Sequence, residues 1–381
     1  MKQEMTTFQL IVIACFIGIL LTVSIFYLTN VFVMGEDALA PYCYDGSARE
    51  TGGPVSAFNR AVYQSEQSLD FIHRTQYYLF DSVNSNLVIV GGRGLLFGVE
   101  DSDRGYHYLS DFSGNEGFTD EELAQILQEL QARAESNAAR DPRAEYLLVI
   151  IPNAQTVYSE EVPDYYGTIS ENTRLEQLQD YLLENGFQDF INLTEDLRAA
   201  KEIEGVLLYH NTENALNSIG LYYAYSAIYE AMSEAVHGVT IPVTREEVSF
   251  DLHTTGGRAL AQKAGLAHVI RNNTWSLSSD TVLRYRFLGD LGFADTSVLP
   301  EYRPAEISGC PELLLQFSRE QDRLQSEPYF SNTFGKVTYQ VGHEADMSVY
   351  IAATPRLVIQ FIYENELSDL LVYTAADVVE K

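Results

Sequence analysis

Positive charge is what this sequence has least of. Against 54 Asp and Glu it sets only 24 Lys and Arg, for a net charge of −30 and an isoelectric point near 4.4. A surface of that sign repels nucleic acid and anionic membrane surfaces, so neither is a partner. Cysteine is scarce too, with three residues in 381. Only Cys43 and Cys310 lie beyond the first apolar run, so a single disulfide in an oxidising compartment is the most they can make. No low-complexity linker interrupts the chain. At 46% hydrophobic residues, 381 positions are enough for a full core rather than a disordered chain.

The first forty residues lack charge altogether between Glu4 and Glu36. The apolar run Phe8 to Met34 exceeds the roughly 20 residues that span a bilayer. It is longer than the apolar core of a signal peptide and has no clean small-x-small cleavage site, although a cleaved signal remains the rival reading. Val12-Ile13-Ala14-Cys15 looks like a lipoprotein box, but the apolar run continues well past Cys15, which reads as an ordinary membrane residue. Lys2 before the span, with Glu36 and Asp37 after it, places the body outside the cytoplasm. The expected organisation is a cytoplasmic terminus over 1–7, a membrane anchor over 8–34, a stalk and helix over 35–80 (the helix near Ala57 to Tyr78), and an α/β domain over 81–381.

Within that domain Leu87 to Val90, Gly91 to Gly94 and Leu95 to Phe97 read as strand, turn and strand. No helix follows the glycines, which excludes a phosphate-cradling loop. Asp101, Asp103 and Asp111 are oxygen ligands that calcium accepts, but their spacing fits no EF-hand, and a solvated acidic loop is the reading; no metal or cofactor is expected. Thr119 and Glu122 form a capping box ahead of the stripe Leu123, Ile126, Leu127 and Leu130. Then come the strand Tyr146 to Ile151, a helix from Thr173 to Asn185 stopped by Gly186, and the strand Phe190 to Leu193. Strands alternating with helices imply a mainly parallel sheet. Further strands are expected at Val206 to Tyr209, Leu313 to Phe317, Lys336 to Val341 and Pro355 to Tyr363, and an irregular insertion from Asn272 to Pro304.

The candidate site centres on YHNTENALNSIGL, Tyr209 to Leu221, where Asn217 caps a helix with Leu221, Ala224, Ile228 and Ala231 on one face. A loop leaving the carboxyl end of a parallel strand is where ligands bind, which points to Glu213 and His210. Asn153, at a strand end, is placed either to donate to an oxyanion or to form a turn. Ser318 follows a strand directly, geometrically a nucleophile's position, though a helix-capping serine is the commoner reading there. Tyr222, Tyr223 and Tyr225 can stack on sugar rings or pack the core.

Several of these blocks resemble, in order, those of the DHHW proteins and the AlgX/AlgJ group, SGNH-hydrolase-like proteins of exopolysaccharide O-acetylation. The Tyr209 loop resembles their D-x-H-W-N-x-x-G-A motif, with Thr212, Asn217 and Gly220 kept. Glu213 falls on the family Asp, Ala215 on the His and Leu216 on the Trp. IPNAQTVY resembles P-N-K-x-x-I-Y, with Ala154 for Lys. Gly256 to Leu266 is similar to the family's G-D-L-A-x-x-L-G-L helix, with Arg258 for Asp, which implies a helix there. Gln316-Phe317-Ser318-Arg319 keeps the family's serine but not the Asp before it, which becomes Phe317. The resemblance spans Leu87 to Leu370 with gaps. It implies an SGNH-like, flavodoxin-like three-layer sandwich, with Ser318 and Glu213 at catalytic positions and Asn153, His210, Asn217 and Tyr222 as binding candidates. It also implies a cell-surface polysaccharide as ligand and a membrane-bound O-acyltransferase as partner. With no histidine where the base belongs, the expectation is a catalytically degenerate binding or accessory protein. An active acetylesterase or acetyltransferase would need His210 or His343 as a relocated base.

Overall fold

The structure, a computed structural model, describes residues 86–101, 105–139, 141–238, 240, 242–278, 298–302, 312–334, 336–342 and 355–372, with isolated positions 18, 74, 75, 77, 78 and 83. The chain divides into two units, Met1–Leu79 and Phe80–Lys381, and every element of the α/β domain belongs to the second. Among the described residues no helix is long and apolar enough to cross a membrane. The span expected over Phe8 to Met34 lies outside them, as do Cys43, Cys310, Asp103, His343 and most of the helix expected over Ala57 to Tyr78.

The strands, in chain order, are β1 (Val88–Val90), β2 (Leu96–Gly98), β3 (Glu145–Ile151), β4 (Phe190–Asn192), β5 (Phe250–Gly256), β6 (Arg271–Leu277), β7 (Val298–Tyr302), β8 (Glu312–Phe317), β9 (Lys336–Val341) and β10 (Leu357–Tyr363). Six of them form one sheet in the order β4-β3-β10-β8-β9-β7, parallel except for the edge strand β7. β3 and β10 are near-continuous apolar runs because both faces of a parallel sheet are covered.

Five long helices supply the cover: α1 (Asp120–Ala138), α2 (Arg174–Glu184), α3 (Thr194–Glu204), α4 (Ser218–Ala231) and α5 (Glu320–Thr333). Leu148, Ile150, Leu314, Val358 and Ile362 face α1 and α2. Val149, Ile151, Leu315, Phe317, Ile359 and Phe361 face α3, α4 and α5. The result is three layers. α1 begins at the expected box, Thr119 accepting from the Glu122 N–H and Glu122 from that of Thr119. It also carries a buried ion pair, Arg133 to Glu129 at 2.7 Å, tied to Gln360 in mid-sheet.

The strand order departs from a flavodoxin-like sheet. Counted in chain order the parallel strands run 2-1-5-3-4, not 2-1-3-4-5. The last strand, β10, inserts between β3 and β8, so three carboxyl ends lie side by side: Pro152 and Asn153, Glu364 to Glu366, and Ser318 with Arg319. Here the winding reverses, with β4 on one side and β9 on the other, which is where α/β sheets bind ligands.

Four expectations need correction. Among the described residues Val206 to Tyr209 joins no sheet; the loop folds back on itself through one bridge, Tyr209 to Leu216. What closes it is Asn217, whose backbone N–H donates to the Leu208 carbonyl, together with the approach of α4. That approach is so close that a Cβ at Gly220 would clash with the Leu208 oxygen. The segment read as irregular from Asn272 begins with β6, the inner strand of a ribbon with β5. Helix forms only over Ala259–Lys263, because Gly256 closes β5. Ser318 does not cap α5: Arg319 holds that position and its side chain makes no capping bond.

Candidate functional site

The 3-10 segment Glu364–Leu371 that follows β10, the Tyr209 loop and the first turn of α5 meet over the carboxyl edge of the sheet. Their polar side chains make two linked networks. In the first, Arg319 donates to the Asn214 carbonyl at 2.6 Å and to Glu366 at 3.0 Å, and its guanidinium lies 4.0 Å from the centre of the Tyr363 ring. Glu366 is buried while Arg319 stays partly exposed, so it is the carboxylate of the pair that is held away from water. Asp322 is also buried, and among the described residues no cation forms an ion pair with it. Burial pushes its carboxyl up to about 7, the nearby Arg319 acting against the rise.

In the second, Glu213 accepts from Arg258 at 2.9 Å, and Arg258 also lies 3.4 Å from His210 Nε2. Gln321 donates to the same nitrogen at 2.9 Å. Two donors on Nε2 put the ring proton on Nδ1, an assignment made from the network. Burial, aided by the Arg258 charge, pulls the His210 pKa down to about 3, so the ring is neutral at physiological pH.

That order matters for chemistry. In a serine triad the carboxylate orients the imidazole and the imidazole takes the serine proton. Here a guanidinium stands between the carboxylate and the imidazole, and the lone pair a base would use is occupied. Ser318 Oγ is buried, and among the described residues nothing hydrogen-bonds it. Ala215, where the family resemblance puts the base, is 2% exposed in the apolar core.

The structure thus brings Ser318, Glu213, His210 and Asn153 to one sheet edge. Asn153 is buried; its Oδ1 accepts from Asn214 and its Nδ2 has no partner among the described residues. Asn217 is fully engaged, accepting from the Ile219 and Gly220 N–H groups and donating to the Leu207 carbonyl at 2.6 Å. Tyr222 is buried against Tyr223, Tyr225 and Tyr329, its hydroxyl on the Val243 carbonyl. In the acidic loop Asp101 pairs with Lys263 and Asp111 with Arg174, and no metal-holding group occurs among the described residues. Sequence reasoning missed Asn214, Arg319, Gln321, Asp322, Asn365 and Glu366. The polar run after Ser318, at a strand-to-helix junction, was the signal for three of them.

An α/β domain with its polar side chains gathered at the reversal of a parallel sheet is the class these observations define. No family model and no curated protein matches the sequence. Solved structures do resemble the fold. The O-acetyltransferase domain of Pseudomonas putida AlgJ is 14% identical over 77% of this chain and 97% of that one, with a TM-score of 0.47. A DHHW family protein from Eubacterium siraeum is 10% identical over 76% and 99%, TM-score 0.49. Pseudomonas aeruginosa AlgX is 13% identical over 80% and 70%, TM-score 0.43. DHHW and AlgJ/AlgX proteins, the group whose sequence blocks this chain resembles, are therefore among its structural neighbours.

Proposed function

We propose that this chain is a membrane-anchored, extracytoplasmic SGNH-like protein whose acyl-transfer site has degenerated, and that it serves cell-envelope polysaccharide O-acetylation by binding. Its ligand is a cell-surface polysaccharide and its partner a membrane-bound O-acyltransferase. The observation that carries the reading is the state of Ser318, a buried hydroxyl that no described base touches, together with that of His210, neutral and with its Nε2 already accepting from Gln321 and Arg258. Serine without a base is a poor nucleophile at neutral pH. One observation favours an active acetylesterase or acetyltransferase instead: Ser318 stands at the reversal point of the sheet, where a nucleophile belongs. The test is acetate release from an acetylated sugar by the full-length chain and by Ser318→Ala. No serine-dependent release is expected; release lost with the serine overturns the reading.

A further inference from the structure

The ribbon of β5 and β6 stands outside the six-stranded sheet, with one edge in use and one open. Its seven residue pairs run without a bulge from Phe250 opposite Leu277 to Gly256 opposite Arg271. In an antiparallel ladder, pairs that exchange hydrogen bonds alternate with pairs whose backbone groups point outward. The Ser278 N–H donates to the Ser249 carbonyl at 2.9 Å, so the alternation makes Asp251, His253 and Thr255 the residues that bond to β6. The far side of β6 agrees: the Arg271 carbonyl accepts from Asn211 Nδ2 at 3.0 Å, and the Asn273 N–H donates to Asn211 Oδ1 at 2.8 Å. That edge is therefore tied to the Tyr209 loop. The matching groups of β5, on Phe250, Leu252, Thr254 and Gly256, point the other way, and among the described residues no backbone group bonds them.

From Asp251 to Gly256 every residue of β5 is exposed, Leu252 by 54%. An open strand edge is a template for another strand, and proteins that keep such an edge single guard it with lysine, proline, a bulge or a cover. β5, Phe-Asp-Leu-His-Thr-Thr-Gly, has no lysine, no proline and no bulge. Charge points to the partner. The chain carries 54 acids against 24 bases, so two copies repel over most of their surface. The two strands of the ribbon, 7 residues each, hold one acid, Asp251, and one base, Arg271, and so form a neutral strip on which two copies can approach. The strand also complements itself. With His253 on a twofold axis, Leu252 meets the second copy's Thr254 as a hydrogen-bonded pair, Phe250 meets Gly256, and Asp251 meets Thr255 rather than another carboxylate. Outward groups then bond outward groups throughout. The two copies of Leu252 lie diagonally across the seam, about 7 Å apart, which covers an apolar side chain that the single chain leaves in water.

We propose that β5 is the seam of a homodimer, in which two copies of this chain pair antiparallel through their β5 edges about His253 and build a four-stranded sheet in the order β6-β5-β5-β6. The dimer goes beyond the polysaccharide-binding role and does not rest on it.

The experiment is sedimentation velocity on the full-length chain in a nonionic detergent, at chain concentrations from about 1 to about 100 μM, beside Thr254→Pro and Leu252→Lys. The Thr254 N–H faces away from β6, so proline there removes a seam bond and leaves the ladder with β6 whole. Leu252→Lys sets two ammonium groups diagonally across the seam, and it carries the test if the proline unfolds the chain. The native chain is expected to dimerise, with a dissociation constant raised ~10-fold or more in each folded variant. The register is read separately by mild oxidation of His253→Cys and Asp251→Cys. Two residues at 253 face each other with their Cα atoms about 4.5 Å apart, within disulfide range, whereas two at 251 lie more than about 13 Å apart. An intermolecular disulfide, above what the native cysteines give in the unsubstituted chain, is expected at 253 and not at 251. A monomer at every concentration, a dimer that the folded variants keep, or a disulfide that forms no faster at 253 than at 251 overturns the proposal.

Discussion

Asp322 gives the most quantitative handle on the site. It lies in the first turn of α5, 2% exposed, with Oδ1 unpaired among the described residues. The cation beside it, Arg319, already bonds Glu366. Burial therefore dominates, and the carboxyl moves from 3.8 to about 7. A folded-state pKa above the unfolded one means that the native state holds the proton more tightly. The stability this contributes is complete below about pH 4 and is lost as pH rises through 7. An amide at this position does not titrate, so Asp322→Asn removes this dependence and leaves the shape nearly unchanged. Between pH 5 and 8 the native chain should lose about 3 kcal/mol more stability than the variant. Asp111, also raised to about 7 by burial, and His210 titrate in both proteins and cancel in the difference. The assay is urea unfolding at pH 5, 6.5 and 8 followed by Trp275, the single tryptophan, which sits in β6 of this domain. Parallel stability curves for the two proteins, within about 1 kcal/mol, would show that Asp322 holds no proton in the native state over this range.

Three further substitutions probe the frame. Ala215→His restores the residue the family motif calls for, yet it forces an imidazole into the apolar core. A loss of ~1–3 kcal/mol in unfolding and no acetate release are expected. Asn217→Ala removes the two capping bonds of α4 and the bond to the Leu207 carbonyl at once, and should cost ~2 kcal/mol or more in the same urea assay. Gly220→Ala drives a methyl into the Leu208 carbonyl, so α4 must move; a destabilisation of ~1–3 kcal/mol is expected, and a neutral result would mean that the loop yields without strain.

How much of this was legible in the sequence depends on the range of each interaction. The Thr119 box, the Asn217 cap and the apolar runs of β3, β8 and β10 are local patterns, and each was readable. The place of β10 between β3 and β8 was not, because strand order depends on pairings far apart in the chain. β6 escaped notice since Asn-Asn-Thr-Trp-Ser-Leu lacks the apolar alternation of a half-buried strand. Val206 to Tyr209 misled in the opposite way: its apolar side chains fill the core without joining a ladder. At the site, Glu213, His210, Asn153 and Ser318 were found as residue types. What they do is set by Arg258, Arg319, Asn214 and Asn365, whose partners lie 45 to 151 positions away. No spacing rule reaches that far.

Reactivity toward a sulfonyl fluoride reports whether any base serves Ser318. The full-length chain would be treated at pH 7.5 and its peptides read by mass spectrometry, with Ser318→Ala as the control. A serine without a working base gives no modification above that of other serines, and this is the expected result. A stoichiometric adduct on Ser318, absent from the variant, would contradict it and show that a base reaches this hydroxyl.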